Sequence, residues 1–145
     1  MSTPQDFTDC TTLPEVALDF MNTVHCEELS LVAELKAALE QPDTVTDDVV
    51  ADRLQAWLEH TGAHFAREER LMQEYHFFAY PVHRGEHEWA LAQLKAVQRR
   101  WQEQHNRTAL LNYLQEWRSW LQQHIGTMDT VTALYLSRFN PEVEL

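Results

Sequence analysis

Apolar residues recur along most of this chain at alternating steps of three and four, the spacing that gathers side chains on one face of a helix. Four such stripes can be traced. The first runs through Leu18, Met21, His25, Glu28, Val32, Leu35 and Leu39, and the second through Leu54, Trp57, Thr61, His64, Glu68, Leu71 and Tyr75. The third holds His83, His87, Ala90, Leu94, Val97 and Trp101; the fourth holds Leu110, Leu114, Trp117, Leu121, His124, Met128 and Val131. Stripes of this kind face the core of a bundle. Turn and cap signals divide them into helices over about 13–40, 46–76, 81–105 and 108–137. Thr12-Leu13-Pro14-Glu15 matches a capping box with proline in the first turn, Pro42 stops the first helix, and Pro81 suits the start of the third. Thr46 opens the second, and Asn106 or Thr108 can cap the fourth. The short connections predict an all-α, antiparallel up-down-up-down four-helix bundle, and the tail from Arg138 is expected to fray.

The stripes are not uniformly apolar. Each contains histidine, and the first two also carry an inward carboxylate, Glu28 and Glu68. An unpaired polar group in a core costs about 2 kcal/mol or more, and a bare charge far more. His64 with Glu68, and His83 with His87 in the segment HRGEH, stand at i and i+4, where two ligand atoms can reach one metal ion. Either pair alone is a weak signal, and hydrogen-bonded core histidines are the plainer alternative. Convergence of His25, His64, Glu68, His83, His87 and His124 on inward faces points more strongly to a buried metal site. Imidazole and carboxylate without thiolate suit iron, manganese or zinc. So many groups exceed one tetrahedral zinc and fit two six-coordinate ions bridged by carboxylates. No Glu has His three residues later, which disfavours the ferritin-like oxidase pattern.

Length and composition agree with one bundle. At 145 residues the chain makes one domain, 1–145, with only 3 Gly and 5 Pro and no internal repeat. Eleven Lys and Arg against 23 Asp and Glu leave a formal charge of −12, which disfavours nucleic acid and anionic membranes as partners. The start, MSTPQDFTDC, lacks a basic segment followed by an apolar region, and no apolar run is long enough to span a bilayer. The sequence therefore reads as a soluble, cytoplasmic protein, taken as a monomer. Cys10 and Cys26 are too few for a disulfide framework or zinc ribbon, so free thiols are expected; Cys26 reads as an inert cysteine, with a redox-sensitive thiol as the alternative.

The segments MNTVHCEEL, HFAREERLM, YPVHRGEH and WLQQHIGTMD stand in the order found in a known family. The chain resembles the hemerythrins, most closely the single-domain bacterial ones, over nearly its whole length. The resemblance implies a di-iron centre in which His83, His87 and His124 hold one iron, His25 and His64 hold the other, and Glu68 and Asp129 bridge them. A solvent-derived oxo or hydroxo bridge would complete the centre. O2 would bind at the open position of the two-histidine iron, in a pocket to which Phe65, Trp120, Leu121 and Ile125 correspond. Those four are equally explicable as core packing.

The implied function is reversible, non-enzymatic O2 binding for storage, delivery or buffering, with any protein acceptor unknown. A di-iron peroxidase or oxidase, or a sensing module, is the alternative. Asp129 follows His124 by five residues, about 140° around an ideal helix, so reaching the bridge calls for a local widening such as a π-type turn near Gly126. Glu28 lies where an apolar pocket residue might be expected, and is expected to approach the open iron position directly or through water. Otherwise helix one rotates, exposing Glu28 and burying Leu29. Gly62, Gly85 and Gly126 all lie near these histidines and can admit close backbone approach or distortion, although chance accounts for three as well. His60, His76 and His105 are read as non-ligands, His60 being the doubtful one.

Overall fold

The computed structural model describes residues 9–143. The expectation that the first residues carry no targeting segment, and the last two residues of the expected tail, lie outside them. Every regular element among the described residues is helical. Helix α1 spans Asp19–Leu39, α2 Asp47–Glu74, α3 Tyr80–Gln104 and α4 Arg107–His124; one π-helical turn, Ile125–Asp129, leads into α5, Thr130–Leu136, so the fourth rod of the bundle is α4, the π turn and α5 together. Helix α1 packs on α2 and α4, α2 on α3, and α3 on α4, the closed arrangement of an antiparallel four-helix bundle. Among the described residues no helix is long and apolar enough to cross a membrane.

Local chemistry sets most boundaries near the expected places. Thr46 accepts the amide of Val49 at the start of α2, with Asp47 and Asp48 favourably placed in its first turn. Asn106, rather than Thr108, caps α4 by accepting the amide of Ala109 at 3.0 Å. Pro81 sits in the first turn of α3, whose end is turned by His105 in the left-handed region at φ 47°. Arg107 donates to the carbonyls of Ala38 and Val45, at 3.1 and 2.7 Å, tying the start of α4 to the end of α1 and the loop before α2.

The first helix is the exception. It begins at Asp19 and not near residue 13: Thr12 ends a 3-10 turn, Cys10–Thr12, where its hydroxyl donates to the Asp9 carbonyl and its oxygen accepts from Arg118, so it caps no helix at residue 13. Asn22 then holds the following segment extended by bonding both the amide and the carbonyl of Val16. Leu13, Val16 and Leu18 of this arm are buried in the core. Pro14 lies beside Gly126 of the π turn, 3.9 Å from where a Cβ would stand there, and Gly62 and Gly85 have open space around them. No glycine is therefore required by close approach.

The free-thiol expectation is also corrected: Cys10 and Cys26 form a disulfide that staples the arm to α1. Their 16-residue separation in sequence hid a Cα–Cα distance of 5.4 Å. A closed loop of this length is expected to contribute about 3 kcal/mol by restricting the unfolded chain. Cys26→Ser should lower the denaturant-derived stability by about that amount under oxidising conditions, and the difference from the parent should vanish in excess thiol.

The antiparallel alternation brings together the start of α1, the end of α2, the start of α3 and the end of α4. Those are the histidine-bearing ends. The other end is filled by Val32, Leu35, Leu54, Trp57, Leu94 and Leu114, all essentially inaccessible.

Candidate metal centre

All the stripe residues of the first three helices are buried except half-buried Tyr75. The fourth stripe holds through His124 and then slips. Met128 is only partly buried and Val131 is 47% exposed, whereas Asp129, Thr132, Ala133 and Leu136 point inward. The cause is the π turn, which adds a residue to one helical turn and advances the inward face by one position. That turn is what swings Asp129 into the core, 5 residues of wider helix replacing the geometry that would have put it at the side.

Two groups of ligand-type atoms result: Glu68, His83, His87, His124 and Asp129 form one, and His25, His64 and Glu68 the other. Their orientation is consistent. Nε2 of His64 meets Oε2 of Glu68 at 2.6 Å, and Nε2 of His87 and His83 lie 3.4 and 3.6 Å from its other oxygen, Oε1. Asp129 is shared in the same way. Its Oδ2 faces Nε2 of His25 at 3.0 Å, while Oδ1 lies 3.1 and 3.2 Å from Nε2 of His83 and His124. Each carboxylate thus offers one oxygen to the two-histidine side and one to the three-histidine side.

The outer nitrogens are anchored elsewhere. Nδ1 of His83 bonds Thr132 at 2.7 Å, that of His87 bonds Glu69 at 3.0 Å, and that of His124 bonds Glu86 at 2.7 Å. These partners fix the rings with Nε2 inward. The inward Nε2 atoms of His83, His87 and His124, with Oε1 of Glu68 and Oδ1 of Asp129, make no hydrogen bond although all are buried. Buried polar atoms left in this condition are costly unless a cation satisfies them together. The donor set, imidazole and carboxylate at one level of a dry core, fits that requirement.

The expected pocket residues lie against this cluster. Phe65 stacks on His87 at 3.9 Å with the rings parallel to within 2°, and Trp120 stacks on His124 at 4.7 Å. Leu121 and Ile125 are buried in the core. Both Glu28 and Leu29 are buried, so α1 has not rotated. The Glu28 carboxylate is bonded by Trp57, His60 and Thr61 at 2.8–2.9 Å. Burial opposes its charge, but the His60 and His64 rings outweigh this and bring its pKa down to about 2.

Thr132, Glu69, Glu86 and the Glu28 partners were missed in the sequence. Glu69 and Glu86 each stand one place from a stripe residue, a signal that could have singled them out. Thr132 becomes inward only after the π turn.

Fold and site together define a metal-binding four-helix bundle with its histidines and carboxylates at one end of the core. The chain belongs to the hemerythrin family: residues 16–133 match the family model described as the hemerythrin HHE cation binding domain. It is 37% identical to a bacteriohemerythrin of Aquifex aeolicus (strain VF5) over 81% of this chain and 88% of that protein. A bacteriohemerythrin of Ralstonia nicotianae (strain ATCC BAA-1114 / GMI1000) is 31% identical over 90% of this chain and 87% of its own length. A myohemerythrin of Sipunculus nudus is 36% identical over 60% of this chain and 66% of its own. No solved structure gives a significant match.

Proposed function

We propose that this protein binds O2 reversibly at a non-haem centre of two iron ions, for storage, delivery or buffering of oxygen. The observation that carries this reading is the division of Glu68 and Asp129, one oxygen of each facing each histidine group. On this reading His83, His87 and His124 would hold one ion and His25 and His64 the other, with Glu68 and Asp129 each lending one oxygen to either side. The two iron ions, when bound, would supply the electrons that O2 accepts on binding and would take them back when O2 leaves.

The chain's own part is to hold and to exclude. Thr132, Glu69 and Glu86 orient three of the rings. Having one histidine fewer leaves the His25 and His64 side with room for a small ligand. Phe65, Leu121 and Ile125, all nearly inaccessible, keep bulk water and its protons from that position, which favours release of the bound molecule unchanged. Glu28 was the residue that suggested peroxidase or oxidase chemistry. With its carboxylate held by Trp57, His60 and Thr61, binding without turnover is the better-supported reading. We further assign a monomer acting in the cytoplasm.

The test is metal content per chain with visible spectra of the dithionite-reduced protein before air, after air and after degassing. Two irons, a colourless reduced form, a charge-transfer band in air and its loss on degassing are expected. Irreversible bleaching with consumption of peroxide and a reductant would identify an enzyme instead, and a chain that takes up no iron would refute the assignment.

A further inference from the structure

The outer nitrogens of the two histidine groups are treated differently. On the three-histidine side each Nδ1 has a hydrogen-bond partner, and the two carboxylates among them, Glu69 and Glu86, are 23% and 35% exposed. On the other side Nδ1 of His25 has no hydrogen bond, and Nδ1 of His64 faces Oε1 of Glu28 at 3.6 Å. That distance is an electrostatic contact rather than a formed hydrogen bond. Glu28 is inaccessible to solvent, so its charge is screened far less than those of Glu69 and Glu86.

Glu28 is also held from outside the site. Trp57 donates Nε1–H to Oε2 at 2.9 Å, while Thr61 donates its hydroxyl to Oε1 at 2.8 Å and His60 stands 2.9 Å from the same atom through Nδ1. The other ring nitrogen of His60 faces exposed Glu27 at 3.1 Å, so both nitrogens meet carboxylates and both act as donors. Three donors around a buried carboxylate make a fixed charge, since moving it would strand all three.

We propose that Glu28 is a positioning residue for the two-histidine cation: it aims the His64 ring and sets a fixed negative charge behind it that favours the more oxidised cation, while His60 moderates this by drawing on the same oxygen. The inference rests on the metal assignment above. A carboxylate behind a metal-bound imidazole increases the ligand's basicity, and a buried negative charge favours a more positive ion. His60 competes with His64 for Oε1, so removing His60 returns that oxygen to His64.

Glu28→Gln and His60→Gln test this in the iron-loaded full chain, by iron content, melting temperature, midpoint potential and the rate at which the oxygenated form oxidises irreversibly. With iron retained, Glu28→Gln is expected to raise the potential and slow that oxidation by about tenfold. His60→Gln is expected to lower the potential and hasten oxidation. A purely structural role would move both variants alike. The same direction of shift in both, or an unchanged potential in Glu28→Gln with iron intact, would overturn the proposal. If Glu28→Gln fails to fold or load, His60→Gln decides by itself, a parent-like or higher potential refuting the inference. An iron-free parent would refute the metal assignment, and this inference with it; an iron-loaded parent with unmoved potentials would refute only the role of Glu28.

Discussion

Glu68→Ala is expected to abolish metal binding on both sides of the centre, whereas His25→Ala is expected to cost one ion and leave the other. Glu68 is the residue common to both ligand groups by way of separate oxygens, Oε2 toward His64 and Oε1 toward His87 and His83. Its loss removes a charge that neutralises both cations. It also leaves Asp129 as the one remaining carboxylate among the grouped residues. Removing one partner from a buried charge set costs about 3–5 kcal/mol. At about 1.4 kcal/mol per tenfold, that is roughly a hundredfold to a thousandfold or more in affinity. Nothing of this kind follows for His25, which belongs to the smaller group alone and whose Nε2 faces Oδ2 of Asp129. Elemental analysis after desalting, with calorimetric titration of the reduced metal, distinguishes the two variants. A Glu68→Ala protein that keeps both ions would remove Glu68 from the bridging role.

Stripping the metal from the parent protein should lower its melting temperature by about 6–20 °C at neutral pH. The core would then hold the Nε2 atoms of His83, His87 and His124, with Oε1 of Glu68 and Oδ1 of Asp129, buried and without a hydrogen bond. A loss of about 3–5 kcal/mol is expected for uncompensated buried charge, and each kcal/mol shifts the midpoint by about 2–4 °C in a domain of this size.

Protons can partly replace the metal. Against the cost of burial, Glu68 and then Glu28 hold His64 up to about 10, and Asp129 holds His124 up to about 9. Burial and Asp129 push the Glu68 pKa up, but the His64 ring outweighs them and holds it below the ordinary carboxylate range; His124 does the same for Asp129 against burial. The raised imidazoles stabilise the metal-free fold fully below their unfolded pKa of about 6.5, and that contribution is lost as pH climbs through 9 to 10. The lowered carboxylates contribute above about pH 4 and fail in acid. The metal-free protein should therefore be most stable near about pH 5–6, and its deficit against the metal-loaded form should widen toward pH 9, since metal binding displaces those protons. Calorimetry of both forms across this range measures it. A constant gap would mean that the imidazoles are not paired with these carboxylates in the metal-free chain.

Both predictions rest on residues that could be picked out before any coordinates. His25, His64, Glu68, His83, His87 and His124 lie on periodic stripes, and helical periodicity is local, so the chain declares which of its side chains will face inward. The bundle topology follows from the same source, through stripe lengths and short capped connections. Asp129 was legible only by resemblance. Its register depends on a π turn, and the steps of three and four that identify a stripe assume a uniform helix.

What the amino-acid order by itself determined is the helical periodicity, a helix start near Thr46 and another capped by Asn106 or Thr108, and the placing of ligand-type residues at one level of the core of a four-helix bundle. Tertiary structure alone decided which atoms meet: Cys10 with Cys26, Thr132 with His83, Glu86 with His124, and Glu28 with Trp57, Thr61 and His60. The arm before Asp19 belongs with these, because Asn22 bonds the amide and carbonyl of Val16, groups that a helix starting at residue 13 would have used. Periodicity reports the direction of a side chain from its own helix axis, whereas a hydrogen bond or disulfide depends on the distance between chains that are far apart in sequence, and that distance exists only once the helices have packed.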